Sequence, residues 1–384
     1  MHKPIPTLLV GTGGYGARYV NSFLNGTYDG DFALVGAVDP YAANAKSYPL
    51  LKEIAPIYNT MAEFFANHSA ALTIIVTPVH LHFQQCITAI SSGSHVLCEK
   101  PLVPTMDELN RLAAIDDKIL AVGFQLCYSD VILSIKQRIL AGEFGRPQHL
   151  KCYVSWPRGW DYYGRGTKWA GKIKSEDGII VYDSIASNAV AHFIQNMQFL
   201  LGPNMEESAP LTHIQAECYR ANDIESFDTI ALKGRCQDAD IYFSATHAAR
   251  HKISPYMDYS FENARIWINA IDQDFECTIH HKDGRFENLG SCWGYERSHV
   301  LKNMAKRIRG EDAFICTAKT VGPFTSFVNE LFENTPFHDF PRKFVDADYN
   351  DKATYVKNLH IDLWDCYHAN KLPSEAALPW AKRS

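Results

Sequence analysis

Lys100 stands in the run Gly93-Ser94-His95-Val96-Leu97-Cys98-Glu99-Lys100-Pro101-Leu102. An ammonium at the end of an apolar strand can hydrogen-bond a hydroxyl and stabilise the alkoxide character that grows as hydride leaves carbon. Pro101 fixes the backbone just beyond it and removes a donor. A carrier for that hydride is implied upstream. The apolar run Thr7–Val10 ends in Gly11-Thr12-Gly13-Gly14-Tyr15-Gly16, a GxGxxG, and Asp39 follows 23 residues after Gly16. In such a loop the first glycine makes the tight turn, and the second lets backbone amides approach a pyrophosphate. The third lets the helix pack closely on the strand. The helix N-terminus offers unpaired N–H groups to the phosphates. Asp39, at the end of the second strand, is placed to accept from ribose hydroxyls. Its carboxylate favours NAD and repels the 2′-phosphate of NADP, which stays the alternative.

A second group of candidates lies between Trp156 and Lys172, in a glycine-rich segment dense in aromatic and basic residues. Aromatic rings stack on the C–H face of a sugar, and guanidinium or ammonium groups bind hydroxyl, carboxylate or phosphate oxygens. Arg158, Tyr163, Arg165 and Trp169 are the candidate substrate contacts, against the alternative of a plain surface loop or an oligomer contact. Gln125, at the expected domain junction, is a further candidate. His247 and His251, and the pair His280 and His281, lack a carboxylate at ligand spacing, so no metal is expected.

These residues need elements to hold them. The first ~125 residues alternate short apolar runs (Thr7–Val10, Phe32–Val38, Leu72–Val76, His95–Cys98, Ile119–Val122) with helical patterns, as parallel α/β sheets do. Strands that are apolar throughout are covered on both faces. Thr105 with Glu108 three residues on has capping-box spacing. After Phe124 the rhythm changes. Runs at His149–Trp156, His213–Tyr219, Thr229–Lys233, Ile241–Thr246, Met257–Phe261 and Ala264–Ile268 follow one another with short turns, which predicts a largely antiparallel sheet. The fold class is therefore α/β. An N-terminal parallel sheet of Rossmann type (1–125, dinucleotide binding) precedes an α+β domain with a large, mostly antiparallel sheet (126–384, substrate binding and oligomerisation).

Composition narrows the classes. The 384 residues carry 37 Lys+Arg against 43 Asp+Glu, a net charge of −6, which argues against a nucleic-acid binder. The ten cysteines are never closer than twelve residues apart, so they read as reduced, structural thiols. No apolar run approaches the ~20 residues of a membrane span, and no cleavable leader is visible. A soluble, cytoplasmic protein is expected.

The order GxGxxG, Val38-Asp39-Pro40, Thr77-Pro78-Val79-His80-Leu81-His82 and GxHVLCEKPL resembles the glucose–fructose oxidoreductase / inositol 2-dehydrogenase (Gfo/Idh/MocA) family. The resemblance is dense in the first domain and looser in the second. It implies NAD(P)-linked redox at a sugar or cyclitol hydroxyl, and a homodimer or homotetramer assembled through the second sheet. It implies that Lys100 is the central catalytic residue, positioned by Glu99 and Pro101, and that Thr77, Pro78 and His82 line the cofactor. The family also carries Asp-x-x-x-His on a helix with a Gly about ten residues later. Anchoring on Gly202 puts His192 at the histidine and Asn188 at the acidic position, with Asp183 five residues upstream as the other source of a carboxylate.

At about 100° per residue, Asn188, His192 and Gln195 share the polar face of a helix running on to Leu201. That face either lines a cleft or is solvated. Histidine titrates near neutrality and suits proton exchange with a hydroxyl. Three functions follow: an oxidoreductase acting on a secondary hydroxyl of a sugar, sugar acid or cyclitol; a glycosidase or eliminase that retains NAD and oxidises transiently; and a non-enzymatic dinucleotide-sensing regulator. Fold analogy does not choose the substrate.

Overall fold

The computed structural model describes residues 2–28, 30–166, 168–269, 275–293 and 296–382. The chain forms two compact units, Met1–Tyr128 with Tyr295–Val321, and Ser129–Gly294 with Gly322–Ser384. The first break lies three residues past the expected boundary. The return of 295–321 to the first unit departs from the expected single run 126–384. Its physical reason is local: the Cys316 carbonyl accepts from Val122 N, and Tyr128 Oη accepts from Cys316 N (3.0 Å).

In the first unit, β1 (Ile5–Val10), β2 (Phe32–Val38), β3 (Ile57–Tyr58), β4 (Leu72–Ile75), β5 (His95–Cys98) and β6 (Leu120–Val122) form one sheet in the order β3-β2-β1-β4-β5-β6. All neighbours are parallel. Leu8, Leu9, Ile74, Val96 and Leu97 are fully buried, as strands covered on both faces require. The strand order reverses between β1 and β4, which puts the glycine loop and Thr77-Pro78 at the switch point where such sheets bind ligands. The Thr105 hydroxyl accepts from the Glu108 amide, the expected cap.

The second unit is built on nine strands: β7 (Pro147–Ser155), β8 (Leu211–Arg220), β9 (Thr229–Cys236), β10 (Ala239–Thr246), β11 (Ile253–Phe261), β12 (Ala264–Asn269), β13 (Glu276–His281), β14 (Phe286–Ser291) and β15 (Phe337–Asp339). Their order is β14-β13-β12-β11-β7-β10-β9-β8-β15. Pairing is antiparallel except at β7–β10 and β8–β15. The sequence rhythm does not mark β3, β13, β14 or β15. β3 and β15 are only two and three residues long.

One face of this sheet carries Leu150, Cys152, Val154, Phe243 and Met257, all buried. The helix Ala191–Leu200 packs against β7 and against helix Asp130–Leu140. The opposite face, over β7 to β10, is covered by helix Leu359–Ala369 and the residues after it. Tyr153 and Tyr242 donate to the carbonyls of His360 and Lys371 (2.7 and 3.1 Å), and Leu363 and Trp380 complete the cluster. The β11–β14 part of that face presents a groove of about 540 Å³ lined by Tyr256, Arg265, Trp267 and His280. All ten cysteines are free and buried. No helix among the described residues is long and apolar enough to cross a membrane.

Candidate functional site

In the first unit the glycine loop is shaped as its mechanics require. Gly11 adopts a left-handed φ of 89°, and a Cβ there would sit 2.7 Å from the Val76 carbonyl oxygen. A Cβ on Gly16 would sit 2.2 Å from the Gly11 carbonyl oxygen, so the helix Gly16–Leu24 meets the turn with no room for a side chain. Gly13 is different: its Cβ would meet nothing within 4 Å. Gly13, Gly14 and Tyr15 are exposed at the tip, while Thr12 is buried. Asp39 Oδ2 accepts from Thr12 N (2.9 Å) and Thr12 Oγ1 (2.8 Å), and Oδ1 from Tyr41 N (2.9 Å). The carboxylate is thereby fixed beside the loop. An open amide-lined tip next to a fixed carboxylate fits a dinucleotide: pyrophosphate at Gly13–Tyr15, ribose hydroxyls at Asp39.

Around Lys100 the structure assembles several expected residues. Glu99 is 6% exposed, and its carboxylate accepts from Tyr19 Oη (2.8 Å), from Gln125 Nε2 (2.9 and 3.2 Å) and from Lys100 N (3.3 Å). Burial pushes the Glu99 carboxyl above the usual range, against the pull of Tyr19, the Lys100 ammonium and Gln125. A Cβ on Gly123 would lie 2.9 Å from that carboxylate, so the glycine makes the space it occupies. Gln125, a substrate candidate by position, therefore has its amide committed to Glu99.

His82 is committed in the same way. Its Nδ1 lies 2.9 Å from the Pro101 carbonyl and 3.1 Å from that of Leu102, and Nε2 lies 2.8 Å from the Thr77 carbonyl. The ring ties the turn after β4 to the loop after β5. The Lys100–Pro101 peptide is cis. Thr77 Oγ1 donates to Gln85, and Pro78 opens helix Val79–Ser91.

In the second unit the two candidates for the acidic position are bonded to each other: Asn188 Nδ2 donates to Asp183 Oδ1 (2.9 Å). Asp183 Oδ2 accepts from Gly171 N (2.6 Å), which anchors the far end of the aromatic segment. The expected continuous helix is not formed. Ile185–Ala189 make a wide π turn capped by Ser184, and the α-helix starts at Ala191. Angles counted across this break do not hold, so the expected stripe does not run straight from Asn188 to Gln195. Nor is it solvated. Every residue of Ala191–Leu200 is buried, His192 at 8% exposed and Gln195 at 0%, because sheet and helices surround the element. The His192 ring meets Trp293 edge-on at 5.6 Å.

The segment 156–172 does gather its candidates. Arg165 lies over the Tyr162 ring (3.5 Å) and the Trp169 ring (4.8 Å), and Arg158 lies over Tyr162 and Trp156. Tyr163 meets Tyr162 edge-on. Sequence reasoning missed Tyr19, Tyr162, His247 and Trp293 as members of these clusters. They come from distant segments or carry no motif, and only the fold brings them in. Among the described residues one group has metal-ligand chemistry, Glu143, His281 and Glu287. Arg138 already forks onto both glutamates, at 2.6 and 2.7 Å.

Residues 5–124 match the family GFO_IDH_MocA, described as an oxidoreductase family with an NAD-binding Rossmann fold. One curated relative is the scyllo-inositol 2-dehydrogenase (NAD(+)) of Bacillus subtilis, 28% identical over 173 residues. That match spans 41% of this chain and 48% of the relative, so the chain spans about half the length of the curated relatives it matches. Two solved structures have a similar fold over most of the chain. The WlbA dehydrogenase of Bordetella pertussis, in complex with NADH and UDP-GlcNAcA, has a TM-score of 0.68 at 18% identity. It covers 86% of this chain and 96% of its own. An oxidoreductase from Agrobacterium radiobacter, in complex with NAD+, L-tartaric acid and magnesium, has a TM-score of 0.67 at 15% identity, with the same coverages. The glycine loop, Gly11–Gly16, lies within the residues that match this NAD-binding Rossmann family.

Proposed function

We propose that this protein is an NAD-dependent oxidoreductase that takes hydride from a secondary hydroxyl of a sugar, sugar acid or cyclitol. The observation that carries the reading is the pairing at the end of β5: a buried Glu99 carboxylate, held by Tyr19 and Gln125, next to the half-buried Lys100. Bound NAD supplies the hydride acceptor. Lys100 hydrogen-bonds the reacting hydroxyl and stabilises the negative charge that develops on its oxygen. Glu99 accepts from the Lys100 amide and so holds the backbone that carries the ammonium. His192 exchanges the proton, and Asn188, held by Asp183, orients it or the substrate. Asp39 supports NAD over NADP. The cyclitol named for the Bacillus relative and the hydroxyl-bearing ligands of the two solved structures support the substrate class.

The test is a panel of sugars, sugar acids and cyclitols followed at 340 nm with both NAD and NADP. The expected result is NADH formation with at least one of them. Lys100→Met is expected to leave the NADH Kd within a few-fold while lowering turnover by about a hundredfold or more. Unchanged turnover in that variant overturns the reading. The same reading expects a homodimer or homotetramer through the second unit's sheet. Helix Leu359–Ala369 occupies the β7–β10 part of one sheet face, which leaves the β11–β14 strip of that face to a second copy.

A further inference from the structure

Within the second unit a cluster of side chains has bonding capacity that hydride transfer does not use. The Arg165 guanidinium carbon lies 3.5 Å from the Tyr162 ring centroid and 4.8 Å from that of Trp169, and Arg158 lies 5.4 Å from Tyr162 and 5.8 Å from Trp156. Stacking fixes a guanidinium while its in-plane N–H groups remain available for a planar acceptor. Arg165 gives one N–H to the Tyr162 carbonyl and Arg158 one to the Pro157 carbonyl (3.2 Å). Neither forms an ion pair with a carboxylate among the described residues.

His247 packs edge-on against Tyr162 at 5.5 Å and is 2% exposed. Its Nδ1 lies 2.7 Å from the Trp156 carbonyl. A carbonyl only accepts, so Nδ1 carries the proton and Nε2 presents a lone pair. That Nε2 is buried with no hydrogen-bond partner, as are the Tyr163 hydroxyl and Trp156 Nε1. Buried polar groups are nearly always bonded, and three unbonded ones in one cluster call for a ligand.

We propose that this cluster recognises an acid: it takes the carboxylate of a sugar-derived hydroxy acid on Arg158 and Arg165. A neighbouring hydroxyl of the same molecule donates to His247 Nε2. Two fixed guanidiniums match a carboxylate's paired oxygens, and a neutral imidazole acceptor matches a hydroxyl donor. The charge of the ligand is single. Asp183 and Asp228 both lie close enough to act on Tyr163, and each is held by backbone amides, so a doubly charged phosphate is opposed. That this acid is the substrate rests on the oxidoreductase reading; that it binds here does not.

Calorimetric titration of the protein saturated with NADH, in which an alcohol binds without being oxidised, tests the proposal. The ligands are D-glucuronate, D-gluconate, D-glucose, myo-inositol and inorganic phosphate. The expected result is that an acid binds at least tenfold more tightly than D-glucose, and that phosphate does not displace it. Arg158→Met and Arg165→Met should each weaken acid binding at least tenfold and leave the neutral ligands unchanged, with Arg165→Lys in between. Both arginines are partly buried, and an unchanged melting temperature confirms that the variants fold. Acids that bind no better than D-glucose overturn the proposal, as do arginine variants within twofold of the parent, or phosphate binding more tightly than either acid. Arginine-dependent acid binding without NADH formation in the separate NAD assay leaves this site standing and removes the oxidoreductase reading. NADH formed from a neutral polyol with no acid binding does the reverse.

Discussion

At Glu99 burial and hydrogen bonding pull in opposite directions. Burial raises the carboxyl, and the donors from Tyr19 and Gln125 with the Lys100 charge restrain the rise. Tyr19→Phe removes one donor to the ionised form, so the Glu99 pKa should rise further. The carboxyl then takes its proton at a higher pH, and the acid limb of the kcat/KM profile is expected to move up. Denaturant unfolding should show a loss of about 1–3 kcal/mol, as for a buried carboxylate deprived of a partner. His247 gives a prediction with the opposite group type. Burial, with Arg158 and Arg165 nearby, holds its pKa down at about 3. The unfolded chain takes a proton near pH 6.5 that the folded chain refuses. Its contribution is therefore complete above that pH and falls as pH drops toward 3, by at most about 1.4 kcal/mol per pH unit. Unfolding midpoints measured from pH 7 to 4.5 should fall less steeply in His247→Asn than in the parent. Glu99 and Lys100 were legible in the sequence because they sit in one continuous motif. His247 was not, because its role depends on Trp156 and Tyr162, some ninety residues away in the chain.

At the scale of elements, the glycine loop separates folding from binding. Gly16→Ala would push a methyl group to 2.2 Å from a backbone oxygen and is expected to lower both the melting temperature and NAD affinity. Gly13→Ala meets no protein atom within 4 Å. It should melt with the parent yet bind NADH at least tenfold more weakly in a fluorescence titration, because only the pyrophosphate competes for that space. Strand β2 is read from sequence with its bounds intact, since an apolar run between turns leaves little choice. The element carrying His192 is not. Its polar residues suggest a solvated or cleft face, whereas Gln195, Asn196 and Gln198 are all inside. Tyr259 donates to Asn196, and Gln198 donates to the Pro323 carbonyl. Helical periodicity reports which side is polar, but not whether the polar side finds buried partners. The π turn at Ile185–Ala189 also leaves no mark on a pattern counted at constant angle.

For the molecule as a whole, the second sheet divides the face opposite helix Ala191–Leu200. Leu359–Ala369 seals the part over β7 to β10, and Tyr256, Trp267, His280 and Phe286 remain over β11 to β14, Phe286 at 59% exposed. If copies of the chain associate there, Trp267→Glu should convert the oligomer to a monomer in light scattering without loss of secondary structure. A parent that is already monomeric removes that expectation.

The division of the chain into units has a further consequence for how the protein comes into being. During translation, β6 emerges long before residues 295–321, which lie beyond most of the second unit. Until they arrive, the edge of the nascent parallel sheet lacks the Cys316 carbonyl that accepts from Val122 N, and Tyr128 lacks its contact with Phe314. Unpaired strand edges invite association with other chains. A ribosome stalled after residue 128 has emerged would therefore display an incomplete, adhesive domain. The same fragment made on its own should aggregate, where a single chain joining 1–128 to 296–321 should stay in solution.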